Sequence, residues 1–148
     1  MEVRLDNKVV LVTGATHGIG RAIAETLTHS GTGGMRITGR EPLRGNEGAA
    51  SLSQAGTRPT CVAADLAEAI APGQLVQECG SRFGRIDGLF NTAGFTDRWL
   101  RGQRCAAFRP VADARHIASL AVFLLSAAAG PMTGAVTDQE QSGIEANR

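Results

Sequence analysis

The run Val9-Val10-Leu11-Val12-Thr13-Gly14-Ala15-Thr16-His17-Gly18-Ile19-Gly20 decides the fold. Its first part, from Lys8 to Thr13, is a short, continuous stretch of β-branched and leucine residues, the pattern of a strand buried on both faces. Beyond the glycines, Ile19, Ile23 and Leu27 recur every four residues and predict a helix over about 19–30 with one apolar stripe. Gly31 follows, where such a helix should stop. A strand, a glycine loop and a helix in direct succession place free backbone amides at a helix N-terminus, which suits an anion. Gly14 permits the turn off the strand, Gly18 leaves room where a pyrophosphate would lie, and Gly20 lets the helix backbone approach the sheet. Glycine-rich turns also arise for structural reasons alone. Set between a buried strand and an amphipathic helix, this one points to nucleotide binding.

Outward from that unit the same alternation continues. A second strand is predicted from Met35 to Thr38, ending at Gly39-Arg40, and a polar stretch runs from Glu41 to Gly48. A helix over about 49–55 closes at Gly56, and a third strand from Thr60 to Ala64 carries Asp65 at its carboxyl end. A helix from Pro72 to Phe83 then leads to a fourth strand, Ile86 to Asn91. Strands alternating with helices predict an α/β fold, a Rossmann-like doubly wound parallel sheet with right-handed crossovers.

After Gly94 the pattern breaks. The basic stretch from Asp97 to Arg104 follows neither a helical nor a strand period. A helix from Asp113 to Ser126 is predicted next, with Ile117, Leu120, Ala121, Leu124 and Leu125 along one face. Gly130 to Gly134 makes a turn into a short strand, Ala135 to Thr137, and a polar tail follows. The expected organisation is one domain over 1–148. Residues 1–97 hold the nucleotide site, 98–109 form an irregular junction, and 110–148 supply the last helix, strand and tail.

Composition narrows the function. At 148 residues, 43% apolar and 20% charged, the chain describes an ordinary globular protein. A net charge of +1 supplies no field to recruit nucleic acid or an anionic membrane. No apolar run approaches the ~20 residues that span a bilayer. The N-terminus lacks a signal-peptide core, so a cytoplasmic location is expected. Cys61, Cys79 and Cys105 have no Cys-x-x-Cys spacing and form no metal set with His17, His29 and His116.

The end of the second strand bears on which dinucleotide would bind. A carboxylate there would hydrogen-bond the adenosine ribose and repel a 2′-phosphate. This chain has Gly39 followed by Arg40, whose guanidinium can take a phosphate bidentately, and His17 offers a second donor. That favours NADP(H) over NAD(H). The alternative is a solvated loop arginine, its field weakened by Glu41.

With Asn91-Thr92-Ala93-Gly94 closing the fourth strand, the chain resembles the short-chain dehydrogenase/reductase family. The resemblance covers about Leu5 to Asp97 and resumes over about Arg109 to Gln141. It implies an oxidoreductase using a nicotinamide dinucleotide. The implied cofactor contacts are Gly14, Thr16, His17, Gly18, Ile19, Gly20, Arg40, Asp65, Leu66, Asn91, Ala93 and Gly94. Asp65 would meet the adenine, Asn91 would brace the sheet, and Ala93 and Gly94 would leave room for the ribose. From the residues alone, Asp65 is as readily a helix N-cap.

The family's proton donor is a tyrosine in a Tyr-x-x-x-Lys motif. This chain has no tyrosine, and its one lysine is Lys8, ahead of the first strand. The junction of about a dozen residues stands where the family places two strands, two helices and its Ser, Tyr and Lys. General acid–base assistance is typically worth about 10²–10⁴-fold, so impaired catalysis is expected. No substitute is evident: Asp138 and Glu140 lie in the tail, His116 falls on the last helix, and Ser119 and Ser126 have no visible base. No catalytic residue is assigned.

Losing those strands would open the edge of the fourth strand. The expected repair is for Ala135 to Thr137 to dock there, giving order 3-2-1-4-5. Otherwise the edge would pair with another chain, a second copy or a full-length relative. A non-enzymatic nucleotide- or partner-binding remnant is therefore the alternative to an oxidoreductase.

Overall fold

All five residues of β1 (Val9–Thr13) are buried, as a strand covered on both faces requires. The computed structural model describes residues 3–53, 57, 59–94 and 113–129. In it, β1 pairs in parallel with β2 (Gly34–Gly39) on one side and β4 (Gly88–Asn91) on the other. Outside β2 lies β3 (Pro59–Ala63), giving one four-stranded sheet of order β3-β2-β1-β4. The expected Rossmann-like order 3-2-1-4 is thus present. The fifth strand expected at Ala135 to Thr137 lies outside the described residues, as does Gly56, expected to close the second helix, which ends at Leu52.

One face of the sheet is covered by α1 (Gly18–His29), α2 (Pro42–Leu52) and α4 (Ala114–Leu125). Val10 and Val12 point there and join Ile23, Leu27, Ile37, Leu52, Ala118 and Val122 in the core. Each fully buried aliphatic side chain contributes about 1.5–3 kcal/mol. The opposite face receives α3 (Ala71–Phe83), whose buried residues are Ala71, Leu75 and Cys79. Phe83 of α3 lies against Gly34, where a Cβ would stand 2.9 Å from its ring. Burial raises the pKa of both the Cys61 and Cys79 thiols.

Three sequence expectations change. The second helix begins at Pro42, well ahead of the expected residue 49, because its core-facing positions are Gly45, Gly48, Ala49 and Leu52. That spacing is helical, but two of its members have no side chain. Ile19 does not join the apolar stripe: Ile23 and Leu27 are buried, whereas Ile19 is 40% exposed. On α4 the innermost residues are Ala118 and Val122, with Ala114, Ala121 and Leu125 beside them. Of the expected face Ile117, Leu120, Ala121, Leu124 and Leu125, Ala121 and Leu125 pack against the core, whereas Ile117, Leu120 and Leu124 are only half-buried and Ala118 and Val122 take the innermost places.

Candidate functional site

The loop between β1 and α1 meets the end of β4 at the carboxyl edge of the sheet. Here β1 is flanked by β2 and β4, the point at which the strand order reverses. Gly14 adopts φ +65° and sits so close to the β4 exit that a Cβ would stand 2.7 Å from the Ala93 Cα. Gly20 is equally constrained, because a Cβ there would press on the Thr92 hydroxyl and stand 2.5 Å from the Gly14 carbonyl oxygen. The two glycines let three backbone segments converge.

Gly18 differs. Its φ is +59°, yet a Cβ there would meet nothing within 4 Å. It faces open space at the first residue of α1, whose N-cap, His17, makes no side-chain capping bond. No acidic residue occupies the first turn. The first helical amides have no intrahelical acceptor, so their partial positive charge is directed outward.

Thr13 and Thr92, which the sequence reading left out, tie the ends of β1 and β4 together. The Thr13 hydroxyl accepts from the amides of Thr92 and Ala93, each at 3.1 Å, and the Thr92 hydroxyl donates to the Thr13 carbonyl. Asn91, the last residue of β4, is exposed. A signal existed: a threonine ends β1, and another sits in register just past the end of β4.

The loop is tied to β2 as well. The Ala15 amide donates to the Thr38 carbonyl at 3.0 Å, and Thr16 packs on Gly39 where any Cβ would collide with it. His17 and Arg40, the next residues along each segment, are both exposed. The His17 ring meets the Thr16 hydroxyl at 3.1 Å. Arg40 is exposed and makes no ion pair among the described residues. Its neighbour Glu41 is held by Arg44 at 3.2 Å, which turns that carboxylate toward α2.

Arg40 and Asp65 line one cleft of about 270 Å³, together with Val62, Ala64, Glu68 and Leu75. The cleft lies beside the end of β3, whose exit is fixed by the Ala64 amide donating to the Gly39 carbonyl at 3.0 Å. Asp65 does not cap α3, which starts at Ala71. Instead its carboxylate accepts from the Ala67 amide at 3.0 Å in a turn of its own. Leu66 is half-buried, and Ala93 and Gly94 are exposed. His116 is exposed on α4, while the Ser119 and Ser126 hydroxyls donate to carbonyls of their own helix segment. Asp138 and Glu140 lie outside the described residues.

No helix among the described residues is long and apolar enough to cross a membrane. Comparison with known proteins identifies the family. The chain is 35% identical over 91 residues to a 3beta-hydroxysteroid dehydrogenase of Mediterraneibacter gnavus, a match spanning 62% of this chain and 33% of that protein. It is 37% identical over 97 residues to a 3-oxoacyl-[acyl-carrier-protein] reductase of Aquifex aeolicus, covering 65% of this chain and 39% of that one. The chain thus spans little more than a third of the length of these relatives. Among solved structures, a mutant short-chain dehydrogenase/reductase of Serratia marcescens superposes with a TM-score of 0.58 at 34% identity, covering 62% of this chain and 38% of that one. The family model described as short chain dehydrogenase matches residues 8–142, across both blocks of the sequence resemblance. The chain belongs to the short-chain dehydrogenase family.

Proposed function

We propose that this chain binds a nicotinamide dinucleotide across the carboxyl edge of its sheet, prefers NADP(H), and is impaired as an oxidoreductase. The observation that carries the reading is the uncapped start of α1 at Gly18, open to solvent and one loop away from a free Arg40. The amides of residues 18–20 would hold the pyrophosphate, and Ile19 would offer an apolar contact beside it. Arg40 and His17 would take the 2′-phosphate, and Asp65 and Leu66 would border the adenine. Asn91, Ala93 and Gly94 would flank the ribose on the β4 side. The bound dinucleotide supplies a hydride. What the chain lacks is the group that would protonate the resulting alkoxide, since it contains no tyrosine and its lysine precedes β1.

Titration of NADPH fluorescence on purified protein tests binding. Saturation at sub-millimolar cofactor is expected, and its absence would overturn the assignment. A panel of carbonyl substrates tests the second part, with no turnover above background expected once binding is established. Robust turnover would show that another residue supplies the proton. A cytoplasmic location fits this reading, since Cys61 and Cys79 are both free thiols.

A further inference from the structure

We propose that Thr16 sets the dinucleotide preference of this site by holding position 39 to glycine, an inference that rests on the nucleotide reading above. In the dinucleotide-binding fingerprint, the carboxylate that takes the ribose stands about 20 residues past the glycines, at the end of the second strand. Gly39, the last residue of β2, occupies that place.

Backbone shape does not demand glycine there. Gly14, Gly18, Gly31 and Gly84 have positive φ, and Gly39 does not. A neighbour is what excludes a side chain: a Cβ on Gly39 would stand 2.4 Å from the Thr16 Cγ2 and 3.4 Å from its hydroxyl oxygen. Thr16 fills, from the glycine loop, the space that an aspartate at position 39 would enter.

Neither partner gives way cheaply. Gly39 is buried, and its carbonyl accepts from the Ala64 amide at 3.0 Å. The Thr38 carbonyl just before it accepts from the Ala15 amide, also at 3.0 Å, which holds the loop against β2. Thr16 is β-branched, so its χ1 is restricted, and its hydroxyl meets the His17 Nδ1 at 3.1 Å. Turning the methyl off Gly39 would break that contact, because one torsion moves both groups. The Thr16 Cβ, by contrast, lies 3.5 Å from the same point, an ordinary van der Waals distance. An alanine at position 16 would therefore admit a side chain at position 39. With glycine kept there, the site has no carboxylate on β2 to take the ribose hydroxyls or to repel a 2′-phosphate.

A double-mutant cycle tests the coupling: Gly39→Asp, Thr16→Ala and both together, followed by thermal melts and by NADH and NADPH fluorescence titrations. Gly39→Asp alone should lower the melting temperature by about 3–12 °C. In the Thr16→Ala background most of that loss should vanish. There the ratio of NADH to NADPH affinity should also rise by about tenfold or more over wild type. Additive melts would overturn the proposal, as would a Gly39→Asp protein that is as stable as wild type or turns toward NADH by itself. So would a double variant that fails to fold or keeps the wild-type ratio. If Gly39→Asp alone is unfolded, Gly39→Ala, with and without Thr16→Ala, supplies the melts. A wild type that binds neither dinucleotide, or prefers NADH, defeats the nucleotide reading itself. A wild type that prefers NADPH with an additive cycle defeats only the role given to Thr16.

Discussion

Thr13 and Thr92 bind each other in both directions, the hydroxyl of each to the backbone of the other. This joins the exit of β1 to the exit of β4, beside the site proposed for a dinucleotide. Thr13 is buried, and its hydroxyl also serves the Ala93 amide. Thr13→Val keeps the shape and strands both amides. A loss of about 1–3 kcal/mol is expected in urea unfolding, with Thr13→Ser recovering most of it. An unchanged midpoint in Thr13→Val would show that water replaces the hydroxyl.

How far the sequence could be read follows from which positions carry side-chain information. β1, the glycine loop and the order of alternating elements were legible because apolar period and glycine placement act locally. The start of α2 was not, because Gly45 and Gly48 face the core and read as loop residues. Gly45 lies against Cys61 of β3, a contact between distant segments that no local pattern reports. Ile19 kept the helical spacing and still faces outward, since it precedes the first turn that the sheet covers. The pairing of Thr13 with Thr92 joins residues 79 positions apart and appears only once β4 is in register with β1.

Gly18 and Gly20 separate folding from binding. Gly20→Ala drives a methyl into the Gly14 carbonyl and the Thr92 hydroxyl, so strong destabilisation is expected, above about 3 kcal/mol. Gly18→Ala meets no atom within 4 Å and carries only the left-handed backbone penalty, about 1–2 kcal/mol. NADPH affinity should nevertheless fall in Gly18→Ala, because the methyl occupies the space assigned to the pyrophosphate. Thermal melts and fluorescence titration on the two variants check the contrast. Equal effects on stability would contradict it.

Asp87 predicts an acid dependence. The Val9 amide, and then Arg85, hold its carboxyl below the ordinary aspartate range. The native state therefore keeps the carboxylate ionised at lower pH than the unfolded chain does. Its stabilisation is complete above the unfolded value of about 3.9 and is lost as pH falls through the native value. Asp87→Asn should lower stability near neutrality and flatten the loss of stability in acid. Urea midpoints from pH 7 down to pH ~3 measure both, and parallel curves for variant and wild type would remove Asp87 as a cause.

The proposed preference for NADP(H) rests on Arg40 and on where Glu41 points. Here the Glu41 carboxylate pairs with Arg44 at 3.2 Å, so Arg40, although it shares its cleft with Asp65 and Glu68, is exposed and makes no ion pair among the described residues. A hydrogen bond to a charged group is worth about 1.5–3 kcal/mol, so Arg40→Ala should weaken NADPH by about 10–100-fold and leave NADH nearly unchanged. Arg44→Ala should weaken NADPH in the same direction but less, because the exposed Arg44–Glu41 pair is itself weak and Glu41 is only released, not aimed. Parallel titrations of both cofactors against both variants give the result. If Arg40→Ala lowers NADPH and NADH affinity equally, Arg40 does not read the 2′-phosphate, and the preference for NADP(H) loses its basis.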